Sequence, residues 1–210
     1  DLKPQSTTHY ILNYQYNGEK KLFRVEAYYK NYANLIKYDT DVANFSSNYT
    51  NNGFGFAKGI DFFWRDTKSI KNLDYWVSYS LLDTKRDYKN YPIQAQPNFA
   101  NAHNLSLVGK YWISDLRSQV GFTYALASGR TFTNPNESGF LNDKTKTYNN
   151  LSVNWAYLIS PQKILYASVN NVLGFKNTNG YQYANTPDVN GNFNRRALQP
   201  ATDQFIFVGF

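Results

Sequence analysis

Apolar and polar side chains alternate with a period of two along most of this chain, and that pattern allows strands and little else. Over residues 23–30, Phe23, Val25, Ala27 and Tyr29 fall on one side, while Arg24, Glu26, Tyr28 and Lys30 fall on the other. Successive strand side chains point to opposite faces, whereas a helix would mix the two sets. The split recurs with Tyr10, Leu12, Tyr14 and Tyr16 against Asn13 and Gln15, and with Ile60, Phe62 and Trp64 against Asp61 and Arg65. Downstream, Tyr75, Val77, Tyr79 and Leu81 oppose Asp74, Ser78 and Ser80; Val120, Phe122, Tyr124 and Leu126 oppose Gln119, Gly121 and Thr123; Leu151, Val153, Trp155 and Tyr157 oppose Ser152 and Asn154. With further runs at 104–112, 164–173 and 204–210, about nine strands are expected, several near the roughly 9 to 11 residues that cross a bilayer when tilted.

Composition narrows the choice. The chain has 19 Tyr and 15 Phe in 210 residues, yet no window approaches the roughly 18 unbroken apolar residues of a spanning helix. Any membrane crossing must therefore be made by strands. The net charge of +7 is spread over scattered Lys and Arg mixed with acids, so no nucleic-acid tract is present. With no Cys there is no disulfide framework or thiolate metal site, and no cofactor motif stands out. Residues 1–10 lack the basic and apolar regions of a signal peptide, and Met is absent, which leads to the expectation of a processed product or fragment.

The connections carry a second pattern. They alternate short (17–20, 67–72, 114–115, 160–162) with long (39–52, 85–102, 129–147, 176–202). Outer-membrane barrels do this because periplasmic turns are tight and outer loops are elaborated. The expected fold is all-β, an antiparallel up-and-down transmembrane β-barrel segment. Counting back from a periplasmic Phe210 gives an odd number of strands, whereas bacterial single-chain barrels have even numbers, so completion by other strands is expected. Trp64, Tyr75, Trp112, Trp155 and Tyr157 lie near the short turns, as in an interfacial aromatic girdle, although a soluble core could use them too.

The stretches FRVEAYYKNY (23–32), GFAKGIDFFWRD (55–66), LDYWVSYSLLDTKRDY (73–88) and NNLSVNWAYLIS (149–160), with NVLGF (171–175) and RRALQPATDQFIFVGF (195–210), resemble the C-terminal barrel of TonB-dependent outer-membrane receptors. The resemblance covers the whole chain. It implies a barrel of about 22 strands around a plug, with residues 1–210 as its C-terminal portion and the plug and earlier strands without a counterpart here. It also implies the outer membrane of a Gram-negative bacterium, a lipid bilayer with lipopolysaccharide, the TonB system as energy source, and a possible surface lipoprotein as partner. The implied work is import of an iron chelate, cobalamin, oligosaccharide or peptide, with no bond chemistry.

Candidate substrate contacts come from the polar face, which holds Arg24, Glu26, Tyr28, Lys30, Asp61, Arg65, Trp76 and Lys110, and from the loop aromatics Tyr88, Tyr91, Phe99, Tyr181, Tyr183 and Phe193. Arg24, Lys30, Trp76, Tyr88, Tyr91, Tyr181 and Tyr183 are the leading set. Each has a plainer reading, because lumen charges pair across strands and loop aromatics pack on one another. Residues 188–192 look like the start of a calcium loop, and Asp39 with Asp41 is an acidic pair, but neither has the bidentate Glu of an EF-hand. His9 and His103 have no recognisable nucleophile beside them. A barrel used in secretion or assembly and a soluble glycan-binding β-protein remain open.

Overall fold

The computed structural model describes residues 2–41 and 46–210. Nine long strands form one antiparallel sheet: β1 (Ser6–Gly18), β2 (Lys21–Asp41), β3 (Ser46–Asp66), β4 (Leu73–Asp87), β5 (His103–Ile113), β6 (Ser118–Ala127), β9 (Tyr148–Ser160), β10 (Lys163–Asn170) and β13 (Phe205–Gly209), in the order β1-β2-β3-β4-β5-β6-β9-β10-β13. The remaining strands lie inside two of the long connections. There β7 (Thr131–Phe132) pairs with β8 (Asp143–Lys144), and β11 (Gly180–Tyr183) pairs with β12 (Arg195–Leu198). Within the sheet, β1 and β13 are each paired on one side only.

The strand registers turn the alternation into two surfaces. Tyr14 is opposite Val25, Val25 opposite Phe62, Phe62 opposite Tyr79 and Tyr79 opposite Leu105. Leu105 faces Leu126, while further along Phe122 faces Val153, Val153 faces Val169 and Val169 faces Ile206. Directly opposed residues share a face, so one surface of the sheet is apolar from end to end. The other carries Gln15, Arg24, Asp61, Ser80, Asn104, Thr123, Asn154 and Ser168.

No second layer covers the apolar face among the described residues. Large apolar side chains stay open on it, including Leu12, Ile60, Val120 and Trp155. The accessible surface is 14024 Å², against about 10,000 Å² for a soluble chain of this mass. Among the described residues no helix is long and apolar enough to cross a membrane.

The short turns are built by local hydrogen bonds. Lys20, Asn72 and Arg117 take φ of 59°, 64° and 45° in three of them, the left-handed region that reverses a chain tightly. Asp66 is 2% exposed. Its Oδ1 accepts the N–H groups of Lys68 at 2.8 Å and Ser69 at 2.9 Å, and its Oδ2 accepts the Ser69 hydroxyl at 2.6 Å and lies 3.3 Å from Lys21 Nζ. Glycines admit large rings where strands meet. A Cβ on Gly109 would stand 2.4 Å from the Phe122 ring, and one on Gly59 would stand 2.5 Å from the Tyr28 hydroxyl.

Two expectations change. Residues 39–52 were expected as loop, but β2 and β3 continue as one long hairpin, with Asp39 opposite Asn48 and Lys37 opposite Thr50. The residues there show no alternation of apolar and polar side chains to mark a strand; positions 42–45 lie outside the described residues. Among the girdle residues, Trp64, Tyr75, Trp155 and Tyr157 share the apolar face. Trp112, opposite Gln119, is on the polar one. Its neighbour Tyr111, opposite Val120, takes the outward place, because a shift of one residue changes face.

Candidate functional site

At the long-loop end, three connections close over one another. The 88–102 loop is anchored to the β2–β3 hairpin, with Tyr38 N–H donating to Lys89 O at 3.0 Å, Lys89 N–H to Ile36 O at 2.8 Å, and a Lys37–Asp87 ion pair beside them. Arg86, at the top of the polar face, lays its guanidinium over Tyr32 at 4.3 Å, Phe99 at 5.4 Å and Tyr88 at 5.7 Å. Its Nε is buried without a hydrogen-bond partner. Tyr91 packs edge-on between Tyr88 at 4.8 Å and Phe140 at 4.7 Å. Burial first, and the Tyr88 hydroxyl second, push the Tyr91 phenol up to about 12.

The next two loops are clipped together by side chains. Asn136 donates to Phe193 O at 3.0 Å and accepts its N–H at 2.6 Å, completing a backbone-like pair across 57 residues. Phe132 meets Tyr181 at 5.0 Å and Tyr183 at 6.4 Å, and Arg195 stacks over Tyr181 at 4.5 Å while lying 3.9 Å from Asp143. Arg130 donates to Asn179 O at 3.0 Å, and the Thr131 hydroxyl donates to Gln96 O at 2.9 Å, joining this pair of loops to the first. The result is a rim of stacked aromatics and guanidinium groups.

Lower down, the polar wall carries its own stacks. Arg24 lies over Phe63 at 5.8 Å, and Lys30 over Tyr28 at 5.1 Å. Trp76 sits between Arg65 at 5.8 Å and Lys110 at 5.3 Å, with Arg65 paired to Asp74 at 2.6 Å. Arg and Lys over aromatic faces keep their charge while covering apolar surface.

The residues singled out from sequence thus fall into separate places. Tyr88 and Tyr91 share one cluster, Tyr181 and Tyr183 share a second, Lys30 lies on the wall near the middle of β2, and Arg24 and Trp76 lie near the short-turn end. Tyr91 is 9% exposed, so its ring forms the interior of its cluster. Arg86, Phe132, Phe140 and Arg195 were not singled out. Arg86 could have been found from its even-numbered place on the polar face beside Tyr88, but nothing local joins Phe132 to Tyr181. Asp188 caps a turn, accepting the N–H groups of Asn190 and Asn192 at 2.9 Å each. Of the Asp39–Asp41 pair, the Asp41 side chain lies outside the described residues. His103 Nδ1 is 2.8 Å from the Tyr79 hydroxyl on the apolar face, and His9 is exposed opposite Lys30.

Known proteins agree with this architecture. The chain superposes on the ferric-catecholate import receptor Fiu of Escherichia coli K12 in its closed form with a TM-score of 0.68, at 10% identity, over 99% of this chain and 27% of that one. The outer membrane transporter YddB of Escherichia coli gives 0.66 at 14% identity over 99% and 33%, and the FrpB iron transporter of Neisseria meningitidis gives 0.66 at 11% over 96% and 30%. The chain therefore spans about a third or less of the length of these structures. No curated protein sequence matches it. Residues 1–172 match the family described as TonB dependent receptor-like, beta-barrel. A single antiparallel sheet with one apolar and one polar face accords with that match, and the chain belongs to the TonB-dependent receptor-like β-barrel family.

Proposed function

We propose that the chain forms one wall and part of the outer rim of an outer-membrane importer, binding a scarce nutrient at the rim and passing it along the polar face with energy from TonB. The observation carrying this reading is the joining of three long loops into one aromatic and arginine-lined rim directly above the polar face. Planar or sugar-like groups stack on such rings, and guanidinium groups favour acidic ones. Tyr88, Tyr181 and Tyr183 are the proposed contacts, with Arg86 and Arg195 beside them and Tyr91 as support. Lys30, Arg24 and Trp76 would meet the substrate or a plug along the wall. The structural relatives include a ferric-catecholate import receptor and an iron transporter, which supports a metal chelate as the first class to test.

Unpaired edges at β1 and β13 would be costly in lipid, which supports a larger barrel whose other strands pair with both and whose lumen holds a plug. The outer membrane of a Gram-negative cell, its lipopolysaccharide and a surface lipoprotein belong to the same proposal. The test is a full receptor carrying Tyr181→Ala with Arg195→Gln, assayed for uptake of ferric chelates, cobalamin, oligosaccharides and peptides in cells with and without TonB. The reading requires one substrate to depend on both the rim and TonB. Uptake indifferent to TonB, or secretion lost instead, would replace the importer by a secretion or assembly barrel.

A further inference from the structure

At the short-turn end, a cleft of about 520 Å³ lies between the β5–β6 turn and β9, lined by Asp115, Leu116, Arg117, Ser118, Trp155 and Tyr157. Its position is fixed by the ladder. Ser118 is opposite Tyr157, and Val120 is opposite Trp155, so Ser118, Trp155 and Tyr157 all belong to the apolar face and the cleft opens on that side. The two rings are parallel, 2° apart in plane with centroids 5.9 Å apart, forming a flat aromatic slab. The turn above it is held in place. Arg117 N–H donates to Ser114 O at 3.1 Å, Leu158 N–H donates to Arg117 O at 2.9 Å, and the buried Ser118 hydroxyl donates to Leu116 O at 2.9 Å.

Both signs of charge stand on this short turn. Asp115 and Arg117 are exposed, and neither enters an ion pair among the described residues. Leu116 between them is 60% exposed. A cation, an anion, an aromatic slab and an apolar lip at the edge of a lipid-facing surface match a zwitterionic headgroup followed by acyl carbons. We infer that this cleft holds the headgroup of a phospholipid bearing a phosphate and a primary ammonium, as in phosphatidylethanolamine. Arg117 donates to the phosphate as a charge-assisted pair. Asp115 accepts from the ammonium, and the slab offers it a cation–π face. A purely anionic headgroup leaves Asp115 facing a like charge. The inference rests on the membrane placement proposed above.

The test uses the full receptor purified in non-ionic detergent, with folding checked by heat-modifiable gel migration. It is titrated with phosphatidylethanolamine and with phosphatidylglycerol of the same acyl chains, and bound lipid is counted by native mass spectrometry. Phosphatidylethanolamine should bind more tightly. Arg117→Asn keeps a residue that tolerates the left-handed backbone but removes the charge, and should weaken binding about tenfold. Asp115→Asn should remove the preference between the two lipids. Equal binding of both by the unaltered receptor, or indifference to both substitutions, overturns the site. A receptor that migrates as a folded barrel yet takes up no phosphatidylethanolamine ends this inference alone. A chain that folds without detergent ends the membrane placement instead.

Discussion

The strand wall and the outer rim obey opposite rules of burial. Among the described residues, the buried apolar side chains include Leu35, Ala57, Tyr91 and Ala100; Ala57 belongs to the shared part of the sheet, and the others lie in the hairpin extension or the 88–102 loop. The wall leaves its apolar side chains open and satisfies its backbone through the ladder, which is what a lipid solvent demands. The rim stands in water and has to bury its own surface. It does so with stacked rings and with buried Asn and Thr side chains such as Thr131, Asn134, Asn171 and Asn177. Asn177 illustrates the device, accepting Asn149 N–H at 3.0 Å and donating to Asn149 O at 2.7 Å, so that one side chain extends the pairing of β9. Stability thus comes from the solvent match in one region and from specific polar contacts in the other.

The largest expected effect would break the contrast at the wall. Phe122→Arg or Val25→Arg should cost about 2 to 4 kcal/mol for folding into lipid vesicles if the position is near the midplane. Thr123→Arg, one residue away on the polar face, should cost far less. Equal penalties on the two faces would mean that the apolar surface does not meet lipid.

A smaller effect is expected at the root of the rim. Asn171 is 2% exposed with φ of 52°, donates to Phe175 O at 2.9 Å and Asp203 O at 2.8 Å, and accepts Phe175 N–H at 3.0 Å. Asn171→Ala should destabilise the 176–202 loop by about 1 to 3 kcal/mol, read as faster proteolysis there, while the heat-modifiable migration of the barrel is unchanged. Loss of both together would show that rim and wall unfold as one unit.

The smallest effect is one of pH. Tyr91 is an acid whose folded pKa, about 12, lies above its ordinary value because burial disfavours the phenolate. The folded cluster therefore holds its proton more tightly than the unfolded chain does. Its contribution is complete below the ordinary tyrosine range and is lost as pH rises through about 12. Subtracting the ultraviolet titration of a Tyr91→Phe receptor should leave a single late tyrosinate step. A difference centred in the ordinary range would mean that the rim is as wet as its exposed tyrosines.

The sequence by itself determined about nine strands, the faces of six of them and the alternation of short and long connections, since a period of two is a local property that any neighbouring strand must respect. Phe23, Val25 and Phe62 could be placed on one surface before their pairing was known. Proximity to a turn says less than parity, which sets Trp112 on the polar face, and residues 39–52 have no alternation to mark the strands that β2 and β3 continue there. Only the tertiary structure decided the rim. Phe132 and Tyr181, Asn136 and Phe193, and Arg195 and Asp143 are each separated by about fifty residues and joined by loops that follow no period. Their meeting depends on where the rigid wall delivers the ends of each loop, and that geometry is written in the strand registers rather than in the loop residues themselves.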